Sequence, residues 1–257
     1  MDFVHVLILA IIQGITEWLP ISSSGHLVIV QEYFGLEPPV IFDVMLHVGT
    51  LLVVVIVFWK DLTNILKAVA QLNLSSKEGK LALFIVVGNI PTALIGFVFR
   101  DLLKSFFNNL LVVGIALVGT GCILYVSKYG KNGKEMSYSV ALLIGIAQGI
   151  AIVPGVSRSG ITIATGLLSK LRKETAFKFS FLLSIPAVIG AAVAESSNMA
   201  LMDIEGSTLI LGMIISMIVG YWALKFLQKL LLRERFHQFA FYCWLLGTAI
   251  VALTIMD

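Results

Sequence analysis

The sequence predicts an all-α integral membrane protein, with six transmembrane helices and two re-entrant helix pairs in an inverted-topology repeat. Three observations lead there. Of the 257 residues, 58% are hydrophobic and only 13% charged, too apolar a balance for an ordinary soluble domain. Six windows, about 42 to 59, 82 to 99, 108 to 127, 176 to 195, 208 to 228 and 238 to 256, each supply the apolar length a crossing needs. Two further apolar stretches, 4 to 34 and 139 to 168, are interrupted, the first by Pro20 and a Ser-Ser-Ser-Gly run, the second by Pro154-Gly155. The whole chain, 1–257, reads as one membrane domain with repeat halves of about 1–105 and 106–257.

Taken in order, the opening run FVHVLILAII lacks a basic leader and a small-residue cleavage site, so it reads as part of the mature fold. The breaks near Pro20 and Pro154 free backbone N–H and C=O groups that lipid cannot satisfy, so both broken segments must face protein or a watery cavity. The span at 42–59 carries Asp43 and His47 four apart on one helix face, which reads as a packed hydrogen-bonding pair, with a direct catalytic role as the alternative. Asn89 and Gln148 are expected to hydrogen-bond between helices. Cys122 and Cys243 each lie in a long apolar run and read as buried, inert thiols without a disulfide. No Cys or His cluster has zinc spacing.

Charge supplies the orientation. When each broken segment returns to the side it entered from, Lys60, Lys67, Lys77, Lys80, Lys128, Lys131, Lys134, Lys170, Arg172, Lys173, Lys178, Lys225, Lys229, Arg233 and Arg235 fall on one face. Arg100 and Lys104 fall on the other, with the cation-free 195–207 loop that bears Glu195, Asp203 and Glu205. The positive-inside rule makes the first face cytoplasmic and puts both termini outside. The two broken segments then enter from opposite sides and meet near the midplane.

Internal similarity agrees with that threading. QGITEWLPISSSGH, Gln13 to His26, aligns with QGIAIVPGVSRSG, Gln148 to Gly160; NIPTALIG from Asn89 answers SIPAVIG from Ser184, and VFWK near Trp59 loosely answers GYWALK near Trp222. Inverted halves with broken helices build their sites where the repeats meet.

The residues gathered there are chemical. A guanidinium within the membrane is costly and marks a site by default, and Arg158 is the cation that belongs to neither face. Ser157, Ser159 and Thr162 flank it with hydroxyls, and Gly155 and Gly160 let backbone N–H groups approach. Arg, hydroxyls and a helix start make an anion receptor suited to phosphate. The first segment adds reactive groups: a hydroxyl among Ser22, Ser23 and Ser24 can attack phosphorus if a base takes its proton, with Glu17 and His26 as candidates for base, acid or metal ligand. At least one of these serines binds phosphate or caps the helix near His26. An ion pair between Arg158 and Glu17 is the structural alternative.

At these residues the chain resembles the undecaprenyl-diphosphatase family, through QGITE, SSSGH and PGVSRSG, with similarity along almost the whole chain. The resemblance implies a membrane phosphatase that recycles the polyprenyl lipid carrier of cell-wall assembly, in the plasma membrane, with its site opening to the extracytoplasmic face. It implies catalytic or binding roles for Glu17, Ser22, Ser23, His26, Ser157, Arg158, Ser159 and Thr162; Gln13 and Ser24, in the same stretch, are further candidates for substrate binding. Family members often carry glutamate where this chain has Gln13. The family is described as divalent-cation dependent, so Mg2+ or Ca2+ is expected, with Glu17 as the protein ligand. Membrane type-2 phosphatidic acid phosphatases share Ser-Gly-His and Ser-Arg elements but need a histidine where Ala164 stands.

Two functions follow from these residues. In the hydrolase, Arg158 holds the diphosphate and Ser23 attacks with His26 or Glu17 assisting, or else His26 or an activated water attacks. In the rival, a transporter or flippase of polyprenyl phosphate, Arg158 and the repeat symmetry do most of the work. The partners are a polyprenyl diphosphate lipid and the bilayer, with no nucleic acid. The sequence leaves homodimerisation open.

Overall fold

The computed structural model describes residues 3–107, 109–130, 133–196 and 206–256. Lys131 and most of the 195–207 loop, including Asp203 and Glu205, lie outside the described residues. Twelve α-helices follow one another among the described residues: α1 Phe3–Trp18, α2 Ser23–Phe34, α3 Val40–Val57, α4 Trp59–Ala70, α5 Lys77–Val98, α6 Arg100–Phe106, α7 Leu110–Val126, α8 Tyr138–Ile150, α9 Arg158–Leu168, α10 Lys173–Ser196, α11 Gly206–Leu232 and α12 Phe239–Met256. No strand is formed among the described residues.

Among the described residues five helices, α5, α7, α10, α11 and α12, are long and apolar enough to cross a membrane, and there are six if the bent pair α3–α4 counts as one span. The protein is therefore a multi-pass membrane protein. Apolar side chains on the outside of the bundle, such as Leu94 and Phe97 on α5 and Leu245 and Leu253 on α12, are exposed because lipid is their solvent. Cys122 belongs with them, which corrects its reading as buried: α7 turns it outward, while Cys243 is buried.

The two interrupted stretches become short helix pairs. α1 and α8, with 16 and 13 residues, are shorter than a crossing. Each folds back on its successor, α1 against α2 and α8 against α9. The turns between them touch. Ser22 Oγ accepts the Gly155 N–H at 3.1 Å, Thr120 Oγ1 on α7 donates to the Gly155 carbonyl at 3.1 Å, and the Ser157 N–H reaches Thr120 Oγ1 at 3.3 Å. Gly155 is required here: its φ is +93°, and a Cβ would lie 2.4 Å from the Val113 carbonyl. The freed backbone groups are thus satisfied inside protein, as lipid demands.

The bundle around the pairs closes by small-residue contacts and a few polar ties. α8 crosses α5 so closely that a Cβ on Gly145 would stand 1.9 Å from the Gly88 carbonyl. Beside this crossing Thr92 Oγ1 donates to the Gly145 carbonyl at 2.9 Å, and Gln148 Nε2 donates to Asn89 Oδ1 at 3.4 Å, the interhelical bond expected of that pair. The main apolar core runs through Trp18, Phe58, Phe177, Phe179, Phe181 and Leu224.

α4 was not foreseen. It bends 78° away from α3, burying Ile65 and Ala68 while Trp59, Leu66 and Val69 stay exposed, the layout of a helix lying along a membrane surface. Lys178 of α10 pins it through Asp61 at 2.7 Å.

Candidate active site

Glu17 is the centre of the site. It is the penultimate residue of α1, buried against the turn, and every group around its carboxylate is a donor or can become one. Oε2 accepts from Ser23 Oγ at 2.6 Å and from Gln13 Nε2, one turn back, at 3.0 Å. Arg158, the first residue of α9, donates to Oε1. Its guanidinium also lies over the Trp18 ring, 5.2 Å from the centroid, and keeps 16% of its side chain exposed. The two broken segments therefore bring a guanidinium, a carboxylate and a hydroxyl together from opposite halves of the chain. α2 and α9 both begin here, so both point the positive end of the helix dipole at the same spot.

The serines divide their work. Ser22 is held at φ 69°, where a side chain is strained, and caps α2 by accepting the Gly25 N–H at 3.2 Å. Ser24 Oγ pairs with Ser22 Oγ at 3.3 Å. Ser157 caps α9 through the Gly160 N–H at 3.1 Å and pairs with Ser159, whose hydroxyl turns to the Leu19 carbonyl at 3.4 Å. Thr162 is fully buried, donating to the Arg158 carbonyl at 2.7 Å and pairing with Ser180 of α10 at 2.5 Å. That hydroxyl fastens α9 to α10.

His26 is not beside Glu17. Its Nδ1 donates to the Ser22 carbonyl at 2.7 Å, and its Nε2 meets the Tyr242 hydroxyl at 2.7 Å with the rings stacked. The pair faces an apolar groove of about 560 Å3 lined by Ile15, Leu19, Phe226, Phe239 and Tyr242. The imidazole that does reach Glu17 is His47 of α3, whose Nε2 lies 3.5 Å from Oε2. Asp43 and His47 do form a hydrogen-bonding pair, through the Asp43 main chain and not its carboxylate. His47 Nδ1 bonds to the Asp43 main-chain carbonyl at 2.8 Å, and the Asp43 carboxylate takes Gln31 Nε2 at 3.3 Å instead. In the sequence, the i,i+4 spacing hid His47 behind a local explanation, and nothing marked Tyr242.

Residues 6–249 match the family described as bacitracin resistance protein BacA. The chain belongs to the BacA family. Along nearly its whole length it is similar to proteins named undecaprenyl-diphosphatase. It is 40% identical to that of Methanosphaera stadtmanae, covering 100% of this chain and 99% of the relative. It is 42% identical to that of Halothermothrix orenii, with 98% of each chain covered. It is 44% identical to that of Desulfosudis oleivorans, with 96% of this chain and 97% of the relative covered.

In this BacA-family site Glu17 is the carboxylate that would hold a Mg2+ or Ca2+, and Mg2+ binds through one or two carboxylates completed by substrate phosphate oxygens and water. The Glu17 oxygens are engaged by Arg158, Ser23 and Gln13, and among the described residues no three His, Cys, Asp or Glu side chains gather to hold an ion by themselves.

Proposed function

We propose that this chain is a membrane hydrolase that removes the terminal phosphate from undecaprenyl diphosphate, or another polyprenyl diphosphate, giving the lipid monophosphate and inorganic phosphate. The observation that carries this reading is Ser23 Oγ donating to Glu17 Oε2 at 2.6 Å beside Arg158. A carboxylate already holding a serine proton is a general base in place, and the adjacent guanidinium matches a phosphate in charge and shape. The similarity to relatives named undecaprenyl-diphosphatase supports it.

The incoming terminal phosphate competes with Glu17 for Arg158. As the guanidinium turns to phosphate oxygens, Glu17 loses its strongest partner and becomes the better base. Ser23 Oγ attacks the terminal phosphorus, its proton passes to Glu17, and the bridging P–O bond breaks with its electron pair on the lipid monophosphate. Water then attacks the phosphoserine and regenerates Ser23. Purified protein given polyprenyl diphosphate is expected to release inorganic phosphate, and Glu17→Gln, Ser23→Ala and Arg158→Ala to lose at least about 100-fold in kcat/KM. Wild-type protein that releases no phosphate, with Mg2+ and Ca2+ supplied, overturns the reading.

The inverted repeat belongs to this proposal: six crossings by α3, α5, α7, α10, α11 and α12, and re-entrant pairs α1–α2 and α8–α9. Helix pairing supports it. Exchanging α1 with α8, α2 with α9, α5 with α11 and α7 with α12 turns the α1–α11 packing into α8–α5 and leaves the α7–α12 packing unchanged; this pairing sets α5 against α11 and not against α10, where the SIPAVIG likeness falls. That exchange favours halves that part between α7 and α8, later than residue 105. The basic loops then face the cytoplasm, and the termini and the Glu17 site face outward.

One observation favours the transporter or flippase reading. The apolar groove under His26 runs between α1, the end of α11 and the start of α12, toward the side this threading makes cytoplasmic. A carrier has no use for the Ser23–Glu17 bond, however, so a Ser23→Ala variant that moves lipid phosphate across vesicles at the wild-type rate is the outcome that reading requires.

A further inference from the structure

The hydrolysis proposed above leaves Glu17 with a proton it must lose. The proton of Ser23 reaches Glu17 in the first step, and in the second step the same carboxylate must be free to take a proton from the attacking water. The lipid monophosphate departs carrying the bond electrons as an anion, so it does not need that proton. A group beside Glu17 has to accept it.

Four side chains approach the Glu17 carboxylate. Arg158 stays a cation, Gln13 is an amide without a basic nitrogen, and Ser23 is the source of the proton. The fourth is His47, with Nε2 at 3.5 Å from Oε2. Its Nδ1 stands 2.8 Å from the Asp43 main-chain carbonyl, an acceptor only, so the hydrogen of the neutral ring sits on Nδ1 and the Nε2 lone pair faces Glu17. His26 provides the contrast within the same protein. Its Nδ1 has the same anchor, a main-chain carbonyl four residues back, but its Nε2 meets the Tyr242 hydroxyl, which donates. His26 is satisfied at both nitrogens. His47 faces an oxygen that has nothing to give until Ser23 reacts.

The separation fits that state. At 3.5 Å the two acceptors stand just beyond hydrogen-bonding distance, and a proton on either one closes the gap. The His47 side chain is 32% exposed, so its ring is not sealed inside protein. Asp43, on the same helix, is the other acid nearby, with its carboxylate turned to Gln31. The portions of α10 and α11 spanning 179–194 and 207–224 carry no charged side chain.

We propose that His47 is the proton acceptor of the second rank in this site, taking the Ser23 proton from Glu17 Oε2 onto Nε2 and freeing the carboxylate for the water step. This rests on the hydrolase reading. In the first step the Ser23 Oγ–P bond forms and the bridging P–O bond breaks, and the proton comes to rest on His47. In the second, water attacks phosphorus, Glu17 passes a water proton to the departing Ser23 oxygen, and His47 releases its proton to solvent.

The test is steady-state phosphate release from polyprenyl diphosphate by full-length protein. His47→Gln keeps the size and polarity of the side chain without a basic nitrogen, and is expected to lower kcat about 10- to 100-fold with KM within about twofold. In His47→Ala, added imidazole is expected to restore at least about a tenth of the lost rate, and pyrazole, of the same shape but a far weaker base, to restore none. Wild-type kcat in His47→Gln overturns the proposal, as does equal rescue by the two azoles, or a folded His47→Ala that imidazole does not rescue. Should His47→Ala fail to fold, the kcat of His47→Gln decides. An inactive wild type sinks the hydrolase reading itself, whereas an active wild type, an inactive Ser23→Ala and a fully active His47→Gln sink the relay alone.

Discussion

Three adjacent serines, Ser22, Ser23 and Ser24, look interchangeable in sequence, yet the fold gives each a different partner. Ser22 ties the α1–α2 and α8–α9 turns together by accepting both the Gly25 and Gly155 N–H groups. Ser22→Ala is expected to lower stability by about 1–2 kcal/mol, read from the thermal melt, because it removes a cap and a buried acceptor at once. Ser24 Oγ pairs with Ser22 Oγ, and Ser24→Ala is expected to keep activity within about twofold. Tyr242→Phe takes the donor from His26 Nε2 and leaves Glu17 and Ser23 untouched. It is expected to cost about 1 kcal/mol of stability with little change in kcat. The engagement of Glu17 by three donors also bears on metal: protein purified without substrate is expected to contain no stoichiometric Mg2+ or Ca2+ by elemental analysis, any ion arriving with the diphosphate.

At the scale of elements, a broken helix survives in a membrane only where its loose backbone is met by protein, and the turn between α8 and α9 depends on one glycine. Gly155→Ala forces a Cβ to within 2.4 Å of the Val113 carbonyl at a φ of +93°, so it is expected to disrupt the contact between the turns by about 3 kcal/mol or more. Gly119→Ala on α7, where an added Cβ meets nothing within 4 Å, serves as the neutral control in the same melting experiment. The breaks at Pro20 and Pro154 were legible because proline and glycine interrupt an apolar run wherever they fall. α4 was not legible. Its apolar residues are too few for a crossing, and its bend from α3 at Phe58 is fixed by packing on Phe177 and Phe181 and by Lys178, residues more than a hundred positions away.

For the whole molecule, the proposed orientation makes a sharp labelling prediction. With Cys122 and Cys243 replaced, a cysteine at Ser105 is expected to react with a membrane-impermeant maleimide in intact cells, and one at Glu135 only after permeabilisation; the reverse pattern overturns the orientation. Composition and the spacing of apolar runs determined by themselves that this chain crosses a membrane several times, because lipid leaves a backbone no choice but the helix. They also marked Arg158, Glu17 and Ser23, since a charge or a reactive hydroxyl deep in an apolar chain needs a partner. Which imidazole reaches that partner was decided only in three dimensions. His26 and His47 carry the same anchor to a carbonyl one turn back, and what separates them is the neighbour that another helix brings to Nε2, a hydroxyl from α12 for one and a carboxylate from α1 for the other. Sequence spacing fixes what lies one turn away along a helix; the rotation of helices against one another fixes what lies across it.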